Sequence, residues 1–176
     1  MAAQRTEELV PEEADVLARV ASLPVDLQAM AVMANVWRAA QAQRGHLERR
    51  ALREEDLSWA GFSVLFNLWV WGPRETREMA HRLDVSRATV TGVADTLERR
   101  GLVRRRGDER DRRLVRLELT AAGRRTIEQL FPRFNAGESE LVSGLSDDDK
   151  HTLARLLRRV IVTAKEAQRD VQPDHA

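Results

Sequence analysis

A mainly α-helical fold carrying one small β-hairpin is predicted by three observations on this 176-residue sequence. Apolar residues recur at helical spacing through most of the chain, and the period drops to two only between Val103 and Leu119. Immediately before that change, two short amphipathic segments are joined by a tight Asp84-Val85 turn. The length suits one domain with an appended helical module. No apolar run approaches the roughly 18 residues of a membrane span. The first 23 residues, with five carboxylates against two arginines, are too acidic for a secretion signal. A soluble, cytoplasmic protein without membrane partners is expected. Cysteine is absent, which excludes disulfides, thiolate metal sites, cysteine nucleophiles and thiol redox sensing.

The elements follow in order. Residues 1–23 are expected to be flexible or partly helical. From Leu27 the apolar residues Met30, Ala34, Trp37 and Ala40 recur every three or four positions toward Leu52, which predicts a long first helix within 24–55. Ser58 is placed as the N-cap of a second helix, with Phe62, Leu65, Phe66 and Trp69 on one face and Gly72-Pro73 as its stop. A short third helix carries Met79, Ala80 and Leu83 and ends at Asp84, a residue type that tolerates the left-handed conformation of a turn. Ser86 then caps a fourth helix whose apolar stripe is Val90, Val93, Ala94 and Leu97, closed by Gly101. Val103–Arg106 and Leu114–Leu119 read as strands around a Gly107–Asp111 loop. Thr120 caps a fifth helix with Ile127, Leu130, Phe131 and Phe134 on one face and a bend expected at Pro132. Ser146 and three aspartates open a sixth, striped by Leu153, Leu156, Leu157 and Val160.

Two short helices joined by a tight turn form a helix-turn-helix, whose second helix must be polar and cationic at its N-terminal end and apolar behind. Ser86-Arg87-Ala88-Thr89-Val90-Thr91 has that character, Arg87 being suited to a guanine edge and Ser86, Thr89 and Thr91 to phosphates or base edges. The alternative is that Ser86 is only a cap and the rest a solvated face. The hairpin weighs against it. Between Arg99 and Arg116 nine arginines face three carboxylates, a net charge of +6 within a chain of net charge +1. Arg104, Arg105, Arg106, Arg110, Arg112 and Arg113 concentrated on one ribbon repel one another unless an anionic partner such as duplex DNA neutralises them.

The run DVSRATVTGVADTLERRGLVRRRGDERDRRLVRLELTAAGR, with its Asp108-x-Arg110-Asp111-x-Arg113 pattern and Leu119-Thr120-x-x-Gly123, resembles the DNA-binding lobe of the multiple-antibiotic-resistance regulator (MarR) family. The likeness extends from about Leu27 to Val162. It implies a winged helix-turn-helix with N- and C-terminal dimerisation helices. The first helix (24–55) and the C-terminal helices (123–170) would pair two copies, and a lobe over 56–122 would read one half of a pseudo-palindromic operator in double-stranded DNA. The DNA-binding set implied is Ser86, Arg87, Thr89, Val90 and Thr91 on the recognition helix with Arg104, Arg106, Arg110, Arg112 and Arg113 on the wing, where Asp108 and Asp111 orient the arginines. Gly92 departs from the Arg or Asn that many members carry after the Thr-Val-Thr run.

A small aromatic or anionic effector is also implied, lodged between dimer region and lobe, with Trp37, Phe62, Phe66 and Trp69 as candidates for its pocket. Aromatic residues at helical spacing more commonly mean core packing, and both readings stand. His46, His81, His151 and His175 lack metal-ligand spacing, and no nucleophile motif or phosphate-binding glycine loop occurs. No cofactor and no enzymatic activity are expected. The function expected is a transcriptional regulator, a repressor modulated by a small molecule. Its rival is a winged-helix protein-interaction module with no specific operator.

Overall fold

The computed structural model describes residues 11–107 and 115–171. Among these residues seven α-helices and three strands run in the order α1 (Pro11–Val20), α2 (Leu27–Leu47), α3 (Trp59–Trp71), β1 (Arg74–Glu75), α4 (Thr76–Leu83), α5 (Arg87–Arg99), β2 (Val103–Gly107), β3 (Val115–Leu119), α6 (Ala121–Leu141) and α7 (Asp147–Val171). No helix among the described residues is long and apolar enough to cross a membrane.

Local chemistry sets most boundaries. Ser58, Ser86 and Thr120 sit extended at N-cap positions, and their hydroxyls accept the backbone N–H three residues on, at 3.1, 3.0 and 3.0 Å. Ser146 and Asp149 hydrogen-bond reciprocally at the start of α7. Asp84 closes α4 at φ 51°, and Gly101 follows α5 at φ 68°, where a side chain would be strained.

The core lies around α3. This helix is apolar over most of its circumference, so it is the one that can be enclosed on several sides, and it buries Phe62, Val64, Leu65 and Leu68. Phe62 stacks on Phe134 of α6 with ring centroids 4.1 Å apart, and Phe66 stacks on Phe131 at 5.5 Å. Offset aromatic pairs of this kind contribute roughly 0.5–1.5 kcal/mol each beyond their area. On the other side α5 delivers Val90, Ala94 and Leu97, all buried, and β3 delivers Leu117.

The expected first helix ends sooner than its apolar pattern suggests. After Leu47 the chain makes a π-helical turn (Glu48–Leu52) and a 3-10 turn (Arg53–Glu55) before Asp56 adopts φ 48°. The change of helical pitch keeps Leu47, Ala51 and Leu52 all in the core. Arg50 and His46 meet Glu140 of α6 here, and the hydrogen bond from Arg50 holds the Glu140 carboxyl below its ordinary range.

The sheet is larger by one strand than the sequence indicates. It is antiparallel with order β1-β3-β2, and the two-residue β1 pairs Arg74 with Leu117 and Glu75 with Arg116. Two residues carry no period, so nothing local marks them as a strand. The hairpin register is Val103 with Leu119, Arg104 with Glu118, Arg105 with Leu117 and Arg106 with Arg116. In the N-terminal region expected to be flexible or partly helical, α1 is a helix, tied to α2 where Asn35 donates to both carboxylate oxygens of Glu13 at 3.2 Å.

Candidate nucleic-acid interface

The helix-turn-helix is α4 and α5, joined through Asp84-Val85-Ser86. Asp84 takes the turn conformation and the Val85 N–H returns to the Ala80 carbonyl at 3.1 Å, so the turn is closed by backbone alone. The first turns of α5 then face outward. Ser86, Arg87, Thr89 and Thr91 are exposed. Their hydroxyls are partly committed: Ser86 and Thr89 lie 2.8 Å apart, and Thr91 donates to the Arg87 carbonyl at 2.9 Å. The Arg87 guanidinium has no protein partner among the described residues. It is therefore a free five-donor fork at the N-terminal end of an exposed helix, the geometry that bidentate reading of a base edge needs.

Val90 corrects the expected DNA-binding set. It is 0% exposed and packs with Ala94 and Leu97 in the core, because positions 90, 94 and 97 share one face of α5 and that face turns inward. Ser86, Arg87, Thr89 and Thr91 form an exposed polar surface, while Val90 anchors the helix to the core.

The ribbon divides its arginines by strand alternation. Arg104 points out and pairs with Glu118 across the hairpin. Arg106, also exposed, stands opposite Arg116. Arg105 points the other way, toward α5, where it meets Glu98 and Asp95. Asp108, Arg110, Asp111, Arg112 and Arg113 lie outside the described residues.

Of the expected effector-pocket residues, the structure brings Phe62, Phe66 and Trp69 into one aromatic cluster with Trp59, Phe131 and Phe134. Trp37 stands apart on α2, 64% exposed and without a ring contact among the described residues. A cleft of about 300 Å³ opens elsewhere, between the start of α3 (Leu57, Ser58, Gly61) and α5 (Thr89, Gly92, Thr96). Nothing in the sequence reading points to it. Arg100 at the end of α5 carries no sequence signal of its role; it donates to the carbonyls of Asp56 and Glu55 at 2.5 and 2.7 Å, binding the recognition helix to the turn before α3.

A family model described as the MarR family matches residues 57–115, from the start of α3 to the first residue of β3. The HTH-type transcriptional regulator YwaE of Bacillus subtilis is 41% identical over 157 residues, covering 88% of this chain and 92% of that protein. Among solved structures, an E. coli MarR mutant complexed with operator DNA superposes with a TM-score of 0.68 at 26% identity, over 77% of this chain and 99% of that one. Bordetella bronchiseptica BpsR, whose DNA binding is regulated by 6-hydroxynicotinic acid, gives 0.66 at 27% over 73% and 91%. The likeness thus covers the helix-turn-helix, the ribbon and the helices on both sides of them, and the chain belongs to the MarR family.

Proposed function

We propose that two copies of this chain pair and read a pseudo-palindromic operator in double-stranded DNA, repressing transcription until a small molecule binds. The observation that carries this reading is the free Arg87 fork on the exposed side of α5, directly followed in the chain by a ribbon of arginines. The major groove admits one helix, and an outward cation at its leading end reads base edges there. The arginines of the segment from Arg104 to Arg113, Arg110 and Arg112 among them, supply the sequence-independent attraction to phosphates. No catalytic step is part of the reading, and a DNA-bound regulator works in the cytoplasm.

Pairing is supported by apolar surface that one protomer leaves uncovered. No described side chain of α7 is buried, although its stripe contains Leu153, Leu156 and Ile161. Val32, Met33 and Trp37 of α2 are likewise exposed. Exposed apolar residues at helical spacing on two helices point to an interface, and a closed two-fold pair is the commonest way to cover them. We assign 24–55 and 123–170 to that interface, 56–122 to the DNA-binding lobe, and 1–23 to an appended acidic segment. Sedimentation at micromolar concentration should give twice the chain mass, and Leu156→Asp with Ile161→Asp should give the monomer; a wild-type monomer would remove the assignment.

The effector reading rests on the aromatic cluster at the α3–α6 junction, where Trp69 and Phe131 are only partly buried. It calls for a small aromatic or anionic compound. The DNA reading is tested by footprinting on the chain's own promoter region across a salt series. Binding should weaken steeply as salt rises while a preferred sequence persists. Equal affinity for all fragments would leave the protein-interaction module as the better description.

A further inference from the structure

The base of the ribbon carries one arginine whose polar contacts run to the recognition helix. The Arg105 backbone N–H donates to Glu98 Oε1 at 3.1 Å, its guanidinium reaches the other oxygen of the same carboxylate, and a second arm of the fork donates to Asp95 Oδ1 at 2.6 Å. Asp95 and Glu98 lie three residues apart on α5, and so stand side by side on one helix face. Val103, two residues earlier on the strand and pointing the same way, is buried against that helix. Arg105 is only 28% exposed, whereas its neighbour Arg104 is 63% exposed. In a run of arginines suited to phosphate, this one is spent on protein carboxylates.

We propose that Arg105 is a positioning residue, not a phosphate ligand: with Asp95 and Glu98 it fixes the angle between ribbon and recognition helix, so that both engage one duplex at once. The proposal rests on the DNA-binding reading above and adds a role for two acidic residues that by charge alone oppose DNA. A planar fork spanning two carboxylates transmits orientation, because its donors are rigidly related, which a single ammonium cannot reproduce. Among the described residues the Val103 packing and the short chain connection at Gly101-Leu102 also join the ribbon to α5, and a hairpin can pivot about such a connection.

The sign of the effect makes the test decisive. Removing a carboxylate from a DNA-binding face strengthens binding if only charge matters. Under the proposal Glu98→Ala and Asp95→Ala instead weaken operator binding, by roughly three- to tenfold. Arg105→Lys, which keeps the charge a phosphate feels but loses the fork, weakens it similarly and leaves random-sequence DNA nearly unchanged. Combining Arg105→Lys with Glu98→Ala adds little to either alone. Hydroxyl-radical protection by the wing fades while methylation protection under α5 persists. Affinities come from direct titration of the full-length dimer with operator and random duplexes. Tighter operator binding by Glu98→Ala or Asp95→Ala, or wild-type behaviour of Arg105→Lys, overturns the proposal. Asp95, at 55% the more exposed of the two carboxylates, keeps the test open should Glu98→Ala unfold. Failure of the wild-type protein to select any operator is a different result, and refutes the DNA-binding reading itself.

Discussion

Replacing Gly123 by Ala is expected to destabilise the protein by about 3 kcal/mol, the upper part of the range for forcing extra volume into a packed site. A Cβ at this position lies 1.9 Å from the Leu102 carbonyl oxygen and 2.8 Å from its carbon. Those are backbone atoms, so no rotamer change relieves the overlap. The oxygen is also held in place, accepting from the Thr120 N–H at 3.1 Å and from the Thr120 hydroxyl at 3.2 Å. Either the start of α6 or the start of β2 must therefore move, and Leu102 and Val103 are both buried. Gly92 is the control. It sits inside α5 with nothing within 4 Å of a Cβ, so Gly92→Ala should stabilise by about 0.5–1 kcal/mol through helix propensity alone. Thermal melts should place the two midpoints on opposite sides of the wild type, Gly123→Ala lower by roughly 6–12 °C. Coincident melts for Gly123→Ala and wild type would show that β2 and α6 separate at little cost.

Arg87→Ala should cost roughly 1–3 kcal/mol on the operator and relax the sequence preference at one position in each half-site, while random duplex DNA is bound almost as before. The reason is that the Arg87 fork is exposed, without a partner among the described residues, and at the leading end of α5. Arg110→Ala and Arg112→Ala should behave differently, since a wing tip reads groove width and charge more than base identity. Each should weaken operator and random DNA by similar factors and lower the slope of log affinity against log salt by about 1 for each phosphate left without its cation. The dimer should survive all three changes. Selection experiments on randomised half-sites, run with each variant, separate the two classes. If Arg87→Ala weakened every sequence equally while the wing variants lost their preference, helix and wing would have exchanged roles.

Much of the molecule is legible without coordinates because its punctuation is local. A cap needs a hydroxyl and an N–H three residues away, so Ser58, Ser86, Thr120 and Ser146 announce four helix starts by themselves. The Asp84 turn and the Gly101 stop depend on the conformational freedom of single residues. The switch of period after Gly101 locates the hairpin for the same reason: side-chain alternation is a property of the strand. The DNA-binding residues are legible only in part. Arg87 is outward in both readings, but a set drawn from consecutive positions sweeps in Val90, which the 3.6-residue period turns into the core.

The element order, the helix-turn-helix followed by a basic ribbon, and the family to which these belong are all written in the chain itself. The element order and the charge of the ribbon follow from local spacing and composition, and the family from the resemblance of the run between Asp84 and Arg124. Which surfaces those elements turn toward one another is settled only when the chain packs. β1 is a strand because β3 passes beside it, and α2 breaks into a π turn because Leu47, Ala51 and Leu52 share one core. Trp37 stands clear of the aromatic cluster because α2 presents it outward. Arg105 separates from Arg104 and Arg106 because its carboxylate partners sit 7 and 10 residues earlier on a different element. Such choices depend on which arrangement buries the apolar faces and pairs the charges together, and no single segment of the chain contains that information.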